Sequence, residues 1–273
     1  MGVLVNLILA AGMLVVLPLG LRLIDGPGVP AVRAWWPAAA LPAAASLWLP
    51  RGPLAAALTV PYAVLAVALA GCAAARLARH RSLAPREVAV LTALVTPVVA
   101  ASALVAERGG VRLLGFDLEI LTLTVAHFHY AGFAAALVAG LLCRAVGDRG
   151  LARLAALAVP AGTALVGAGY FVNDAVELAG AVVLTVGMWL VAWVTWREIR
   201  GRSGDAVTRA LLAVASVVLV ATMVLALSWA AGELAGTPRP SLAWMAATHG
   251  LANAAGFALC ALVAWHRLRV RPL

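Results

Sequence analysis

The chain has 273 residues, of which 64% are hydrophobic and 11% charged, and its mean hydropathy is +1.03. A soluble domain carries about 25% charged residues, so the composition excludes a water-soluble globular protein and implies an integral membrane protein. The formal net charge of +9 does not point to nucleic acid: every one of the 20 basic residues is an arginine, and their positions read as membrane topology.

A membrane helix needs about 20 apolar residues. Nine such runs follow along the chain, roughly 2–23, 31–49, 53–75, 87–106, 118–143, 151–171, 176–196, 207–231 and 241–265. The second run, with Arg33, Pro30, Pro37, Pro42 and Pro50, is expected to be short or kinked, and without it the count falls to eight. The expected fold is an all-α polytopic transmembrane helical bundle, one domain over residues 1–273. The first run lacks a basic flank and a small-residue cleavage site, so it reads as a retained helix and not a signal peptide.

Arginines fall after alternate runs: Arg76, Arg79, Arg81 and Arg86 after the third, Arg144, Arg149 and Arg153 after the fifth. Arg197, Arg200, Arg202 and Arg209 follow the seventh, and Arg267, Arg269 and Arg271 end the sequence. With Arg22 and Arg33, 16 of the 20 lie on one side of a nine-helix topology. The positive-inside rule then places the N-terminus outside and the C-terminus in the cytoplasm, the expected location being a bacterial cytoplasmic membrane. Trp189, Trp193, Trp196 and Trp265 read as an aromatic belt at the inner interface. Cys72, Cys143 and Cys260 lie far apart with no metal-ligand spacing, and read as small buried apolar residues.

Ionisable groups inside membrane-length apolar segments are costly to desolvate and are functional candidates for that reason. The fifth run contains Glu119, Thr122, His127, His129, Tyr130 and Phe133. At about 100° per residue these share a little under half of a helix circumference. A second stretch, from Gly169 to Leu178, holds Tyr170 and the carboxylates Asp174 and Glu177 at the mouth of the seventh helix, three residues apart and so on one face. The third holds His249 and Asn253, one turn apart, with Gly250 and Gly256 permitting close approach of a neighbour. By helical rise, His129, His249 and Asn253 reach a similar depth, with Glu119, Asp174 and Glu177 above them. If the fifth, seventh and ninth helices adjoin, these groups surround one pocket. Plainer readings are solvated loop charges for Asp174 and Glu177 and an interhelical hydrogen bond for His249 with Asn253.

The pentapeptide Ala126-His127-Phe128-His129-Tyr130 is similar to the helix of haem-copper oxidases that supplies haem ligands. That resemblance would make His127 and His129 ligands, but further intramembrane histidines beyond His249 are missing. The sequence from Glu119 through His127-Phe-His-Tyr-Ala-Gly-Phe133, with His249-Gly-x-x-Asn253-x-x-Gly256-Phe257, resembles the bacterial YndJ-like membrane protein family over most of the chain. That likeness implies a fold and a polar centre. In architecture and length the chain also resembles the small integral-membrane terpene cyclases of actinobacteria.

These residue types suit a metal-independent isoprenoid cyclase that starts by protonating an alkene or epoxide, as in meroterpenoid biosynthesis. Asp174, Glu177 or Glu119 is the expected general acid, since a carboxyl beside an apolar cavity holds its proton, with His129 or His249 orienting it or acting as base. Tyr130, Phe133, Tyr170, Trp244 and Phe257 would offer π faces to developing cations, and His127 and Asn253 would border the substrate. There is no DDxxD-like aspartate cluster, so neither metal nor cofactor is expected. The expected partners are a lipophilic isoprenoid substrate and membrane lipid. The alternatives are a haem-binding redox protein using His129 or His127 with His249, and a proton-coupled small-solute transporter.

Overall fold

The computed structural model describes residues 2–268, so Arg269 and Arg271 lie outside the described residues. The described residues form helices and connecting loops, with no strand among them. Nine long helices follow one another: α1 Val3–Leu21, α2 Val29–Ser46, α3 Pro53–His80, α4 Pro85–Gly109, α5 Leu118–Val146, α6 Gly150–Val172, α7 Asp174–Arg202, α8 Ala206–Leu234 and α9 Leu242–Arg267. All but α2 are long and apolar enough to cross a membrane. The all-helical, multi-pass architecture is therefore as expected from the sequence.

Contacts divide the chain into two compact units. Among the described residues, one comprises the chain up to Ser82 together with Val90–Ala134; the other comprises Leu83–Ala89 and the chain from Ala135 onward. Both α4 and α5 begin in one unit and continue into the other.

In the first unit, α2 is a continuous helix despite Pro37 and Pro42 within it. It runs antiparallel to α1 from end to end. Asn6 Nδ2 donates to Leu47 O at 2.9 Å near one end, and Trp36 Nε1 donates to Met13 O at 2.9 Å midway. At the other end, Arg76 Nη1 of α3 donates to Asp25 O at 2.6 Å, just before α2 begins. The run is the shortest of the nine, as expected, but it is continuous and lies along the length of α1. Where α2 ends, Arg108 donates to the Ser46 and Leu49 carbonyls at 3.0 and 3.2 Å, satisfying carbonyls that a helix C-terminus leaves open. Arg108 and Arg51 also clasp the buried Glu107, at 2.6 and 2.8 Å. Glu107, in the last turn of α4, is thus an internal strut.

In the second unit, α6 and α7 form a tight hairpin about Asn173, whose side chain caps α7 by accepting from Val176 N at 3.0 Å. Glycines set the closeness of the pair. A methyl group on Gly162 would lie 2.4 Å from Leu184 N, one on Gly169 2.5 Å from Glu177 Cα, and one on Gly180 2.4 Å from Val166 N. Gly187 faces Val159 in the same register. Lipid offers helices no hydrophobic drive to associate, so small residues that let backbones touch provide the attraction. On the third side of the hairpin, Ala230 and Leu227 of α8 pack on Val166 and Ala181. Two further expectations meet a mixed outcome. Cys72 and Cys143 are buried and Cys260 half-buried, all as free thiols. Trp265, assigned to the interfacial belt, is instead wholly enclosed, whereas Trp189, Trp193 and Trp196 are exposed.

Replacing Gly180 by leucine drives a side chain into the α6 backbone, and is expected to lower stability by about 3 kcal/mol or more. Gly201→Ala, where a methyl meets nothing within 4 Å, should leave the thermal unfolding midpoint in detergent unchanged. A second prediction concerns Asp205, which caps α8 by accepting from Val207 N and Thr208 N, both at 3.1 Å. The Thr208 hydroxyl, and after it the Arg267 guanidinium, hold its carboxyl well below the usual range. A depressed folded value means stability that is complete above the ordinary aspartate value of about 4 and is lost as pH falls below it. Unfolding midpoints measured down to about pH 2 should show this acid limb in the native chain and a weaker one in Asp205→Asn.

Candidate functional site

The residues singled out in the sequence fall into sets that belong to different units. Glu119, His127, His129, Tyr130 and Phe133 lie in the first; Tyr170, Asp174, Glu177, Trp244, His249, Asn253 and Phe257 lie in the second.

Within the first unit, α5 departs from regular winding. From Phe128 to Ala135 it forms wide π turns, so angles reckoned at 100° per residue lose their meaning beyond Phe128. Widened turns of this kind often accompany special side-chain demands, and here the demand is His129. Its ring is fully buried and Nε2 lies 2.5 Å from Tyr62 Oη. Tyr62 in turn stands edge-on to Trp36, with ring centroids 5.2 Å apart. The other nitrogen, Nδ1, has no hydrogen-bond partner and faces Gly12, where a methyl would lie 2.6 Å away. If Tyr62 donates to Nε2, only the Nδ1 proton goes unmet. The reverse arrangement strands both the phenol proton and the Nδ1 lone pair, so Tyr62 is the donor. α1 has its own wide turn at Gly12–Val16 beside this ring.

Tyr130 is tied down as well, donating to Ile8 O at 2.7 Å, and Phe133 is fully enclosed. Glu119 is exposed at the start of α5, and His127 is half-buried with Phe128 edge-on to its ring. The first unit therefore arranges most of the fifth helix's polar arc as internal scaffold.

Within the second unit, His249 sits in a wide turn of α9. Its Nδ1 lies 2.9 Å from Thr222 O; a carbonyl can only accept, so Nδ1 bears the proton and Nε2 carries a lone pair. Asn253 Nδ2 reaches that lone pair at 3.2 Å and the His249 carbonyl at 2.9 Å. The Thr222 hydroxyl stands 3.0 Å from Asn253 Oδ1 and 2.9 Å from Val218 O, its one proton serving either. Gly256 allows the approach, since a methyl there would meet Val218 at 2.7 Å. Phe257 is buried and Trp244 exposed.

Carboxylates gather elsewhere in the same unit. Glu177 is within electrostatic reach of Glu233, Asp174 and Arg239, and Tyr170 within reach of Glu177 and Glu233. Arg239 pairs with Glu233 at 2.9 Å and stacks over Trp229, 4.8 Å from the ring centroid. The Trp229 indole donates to Pro240 O at 3.2 Å, pinning the loop that carries Arg239. Glu177 therefore has two carboxylates and one guanidinium within reach, and that guanidinium is paired with Glu233. Along α8, Glu233 lies 11 residues beyond Thr222, so this cluster stands about 16 Å from the His249 network. Asp174 and Tyr170 are exposed and Glu177 half-buried, beside the exposed apolar Phe171, Val172 and Leu234.

The polar pattern that suggested a family can now be set against known proteins. A family model described as YndJ-like protein matches residues 7–257, from α1 to α9. The chain belongs to the YndJ-like family. Neither the curated proteins nor the solved structures contain a match. The matched span of this YndJ-like protein reaches into both units and includes the His129 and His249 networks and the carboxylate cluster. Sequence reasoning did not single out Glu233 and Arg239 for the site, although both are the only charges in the α8–α9 connection region. It also overlooked Tyr62 and Gly12, which no local motif ties to His129.

Tyr62→Phe would leave His129 Nε2 buried without a donor. An unsatisfied buried polar atom costs about 1–3 kcal/mol, a loss expected in thermal unfolding of the purified protein, with Tyr170→Phe as the exposed control.

Proposed function

We propose that this YndJ-like protein is a membrane-embedded, metal-independent isoprenoid cyclase whose acid is the Asp174–Glu177–Glu233 cluster. The supporting observation is the excess of carboxylates over guanidinium beside exposed Tyr170. Carboxylates sharing one site resist ionising together, which makes the cluster a holder of a transferable proton. The apolar side chains around it would let a lipophilic substrate approach from the bilayer.

In this reading a cluster carboxyl gives its proton to the terminal alkene or epoxide of a linear isoprenoid. The alkene π electrons then close the rings, and loss of a proton from carbon to a basic group ends the sequence, so no net proton is consumed. Tyr170 offers a π face to the first cation, an interaction of about 0.5–2 kcal/mol. The cluster carboxylate left by the first transfer is a basic group that can take the last proton back. Glu119, exposed in the first unit, is the less favoured acid. The haem and transport alternatives draw on the same histidines, yet His249 already uses both ring nitrogens within the scaffold, and His129 Nε2 is taken by Tyr62. Taking α2 as a ninth crossing, the positive-inside rule sets the carboxylate cluster at the outer face of a bacterial cytoplasmic membrane and the arginine-rich connections inside.

Membranes containing the protein, supplied with linear polyprenyl alcohols, quinols and their terminal epoxides, should yield cyclic isomers of unchanged mass. Asp174→Asn, Glu177→Gln and Glu233→Gln are expected to lower turnover, the true acid by about a hundredfold or more. Full turnover in all three would overturn the reading.

A further inference from the structure

The face of α7 at the end distant from the carboxylate cluster carries a second kind of site. Val182, Val186, Trp189, Trp193 and Trp196 follow one another at intervals of four and three residues, and all are exposed. That spacing forms one continuous stripe along a helix. At its end the helix passes into a wide turn, Thr195–Ile199, which brings Arg200 back over Trp196 with the guanidinium carbon 3.8 Å from the ring centroid. Arg197 lies over Trp193 at 5.5 Å. Neighbouring arginines are engaged: Arg267 with Asp205, Arg202 with Ala145 O and Arg209 with Ser203 O. Among the described residues no carboxylate pairs with Arg197 or Arg200, although Glu198 lies between them in sequence.

We propose that this stripe binds one anionic phospholipid, with a phosphodiester headgroup held by Arg197 and Arg200 and an acyl chain lying along Trp193, Trp189, Val186 and Val182. The charge complements the ligand, and the tryptophans hold the guanidinium groups in place at the level where a headgroup resides. Stacking on an indole leaves a guanidinium edge open for a bidentate contact with phosphate oxygens. A zwitterionic lipid presents the same phosphate together with a cation that the two arginines repel, so the site discriminates between headgroups.

The full-length protein, purified in detergent and offered equal amounts of phosphatidylglycerol and phosphatidylcholine of identical chains, is read by native mass spectrometry. About tenfold preferential retention of one phosphatidylglycerol is expected from two surface arginines. Arg197→Gln/Arg200→Gln should bring retention close to parity, Trp193→Leu/Trp196→Leu should weaken it, and Arg267→Gln should preserve it. Parity in the native chain, or an undiminished preference in the double arginine variant, overturns the proposal. So does equal retention of glycerol phosphate or inorganic phosphate, which would assign the arginines to a soluble anion. Cyclisation is not read in this experiment, so its outcome is independent of the catalytic assignment.

Discussion

The second unit depends on two helix backbones coming into contact. In water, apolar side chains hold helices together by leaving solvent, but lipid tails are as apolar as leucine and give no such return. What remains is dispersion between surfaces that fit, together with weak Cα–H···O contacts, each small and distance-sensitive. Gly162, Gly169, Gly180 and Gly187 supply the fit by removing the one atom that would hold α6 and α7 apart. With Asn173 capping the turn, the hairpin presents Tyr170, Asp174 and Glu177 together at one end. The geometry of the candidate acid follows from four absent methyl groups.

The same lack of water explains why polar groups in the interior come as closed sets. His249, Asn253 and Thr222 exchange hydrogen bonds among themselves and with backbone carbonyls. Tyr130 reaches a main-chain carbonyl of α1, and the Trp36 indole another. Such bonds fix register between helices that apolar packing alone would let slide. Widened turns recur where these groups sit, at Gly12–Val16, Phe128–Ala135 and Ala246–Gly250. A wide turn rotates the side chains that follow it, which is how rings as bulky as His129 and Tyr130 both find partners on neighbouring helices.

Architecture was legible in the sequence because hydropathy and length constrain a membrane helix so tightly. The second run was the uncertain one, and α2 is indeed the shortest of the nine long helices and the one not long and apolar enough to cross. Yet it continues through Pro37 and Pro42, since in a helix surrounded by others neighbouring groups can meet the freed carbonyls. Site reading fared differently. Angular arithmetic on the fifth helix presumed 3.6 residues per turn, and the wide turn after Phe128 has no simple sequence signature. Glycines spaced by seven in two consecutive helices were visible and were not used. Tyr62 was illegible as a partner of His129, because 67 residues separate them and only the packing of α1, α2 and α3 about α5 joins them. The carboxylate cluster was half legible: Asp174 and Glu177 share a helix face, whereas Glu233 and Arg239 arrive from the far end of α8.

Charge stoichiometry separates structure from chemistry in this molecule. At the end of α2, a single carboxylate, Glu107, lies between Arg51 and Arg108 and is almost completely buried. Every strong acceptor there has a cation, and the remaining guanidinium protons go to backbone carbonyls, so removal of any member leaves a buried charge stranded. Around Glu177 the ratio is inverted: three carboxylates face one arginine, and that arginine is committed to Glu233 and Trp229. Like charges gathered in this way oppose compaction. An unbalanced, accessible set of acids is what proton delivery requires, and the balanced, enclosed knot is what a scaffold requires. The two clusters use the same residue types, and their opposite ratios direct the functional reading to the mouth of the α6–α7 hairpin.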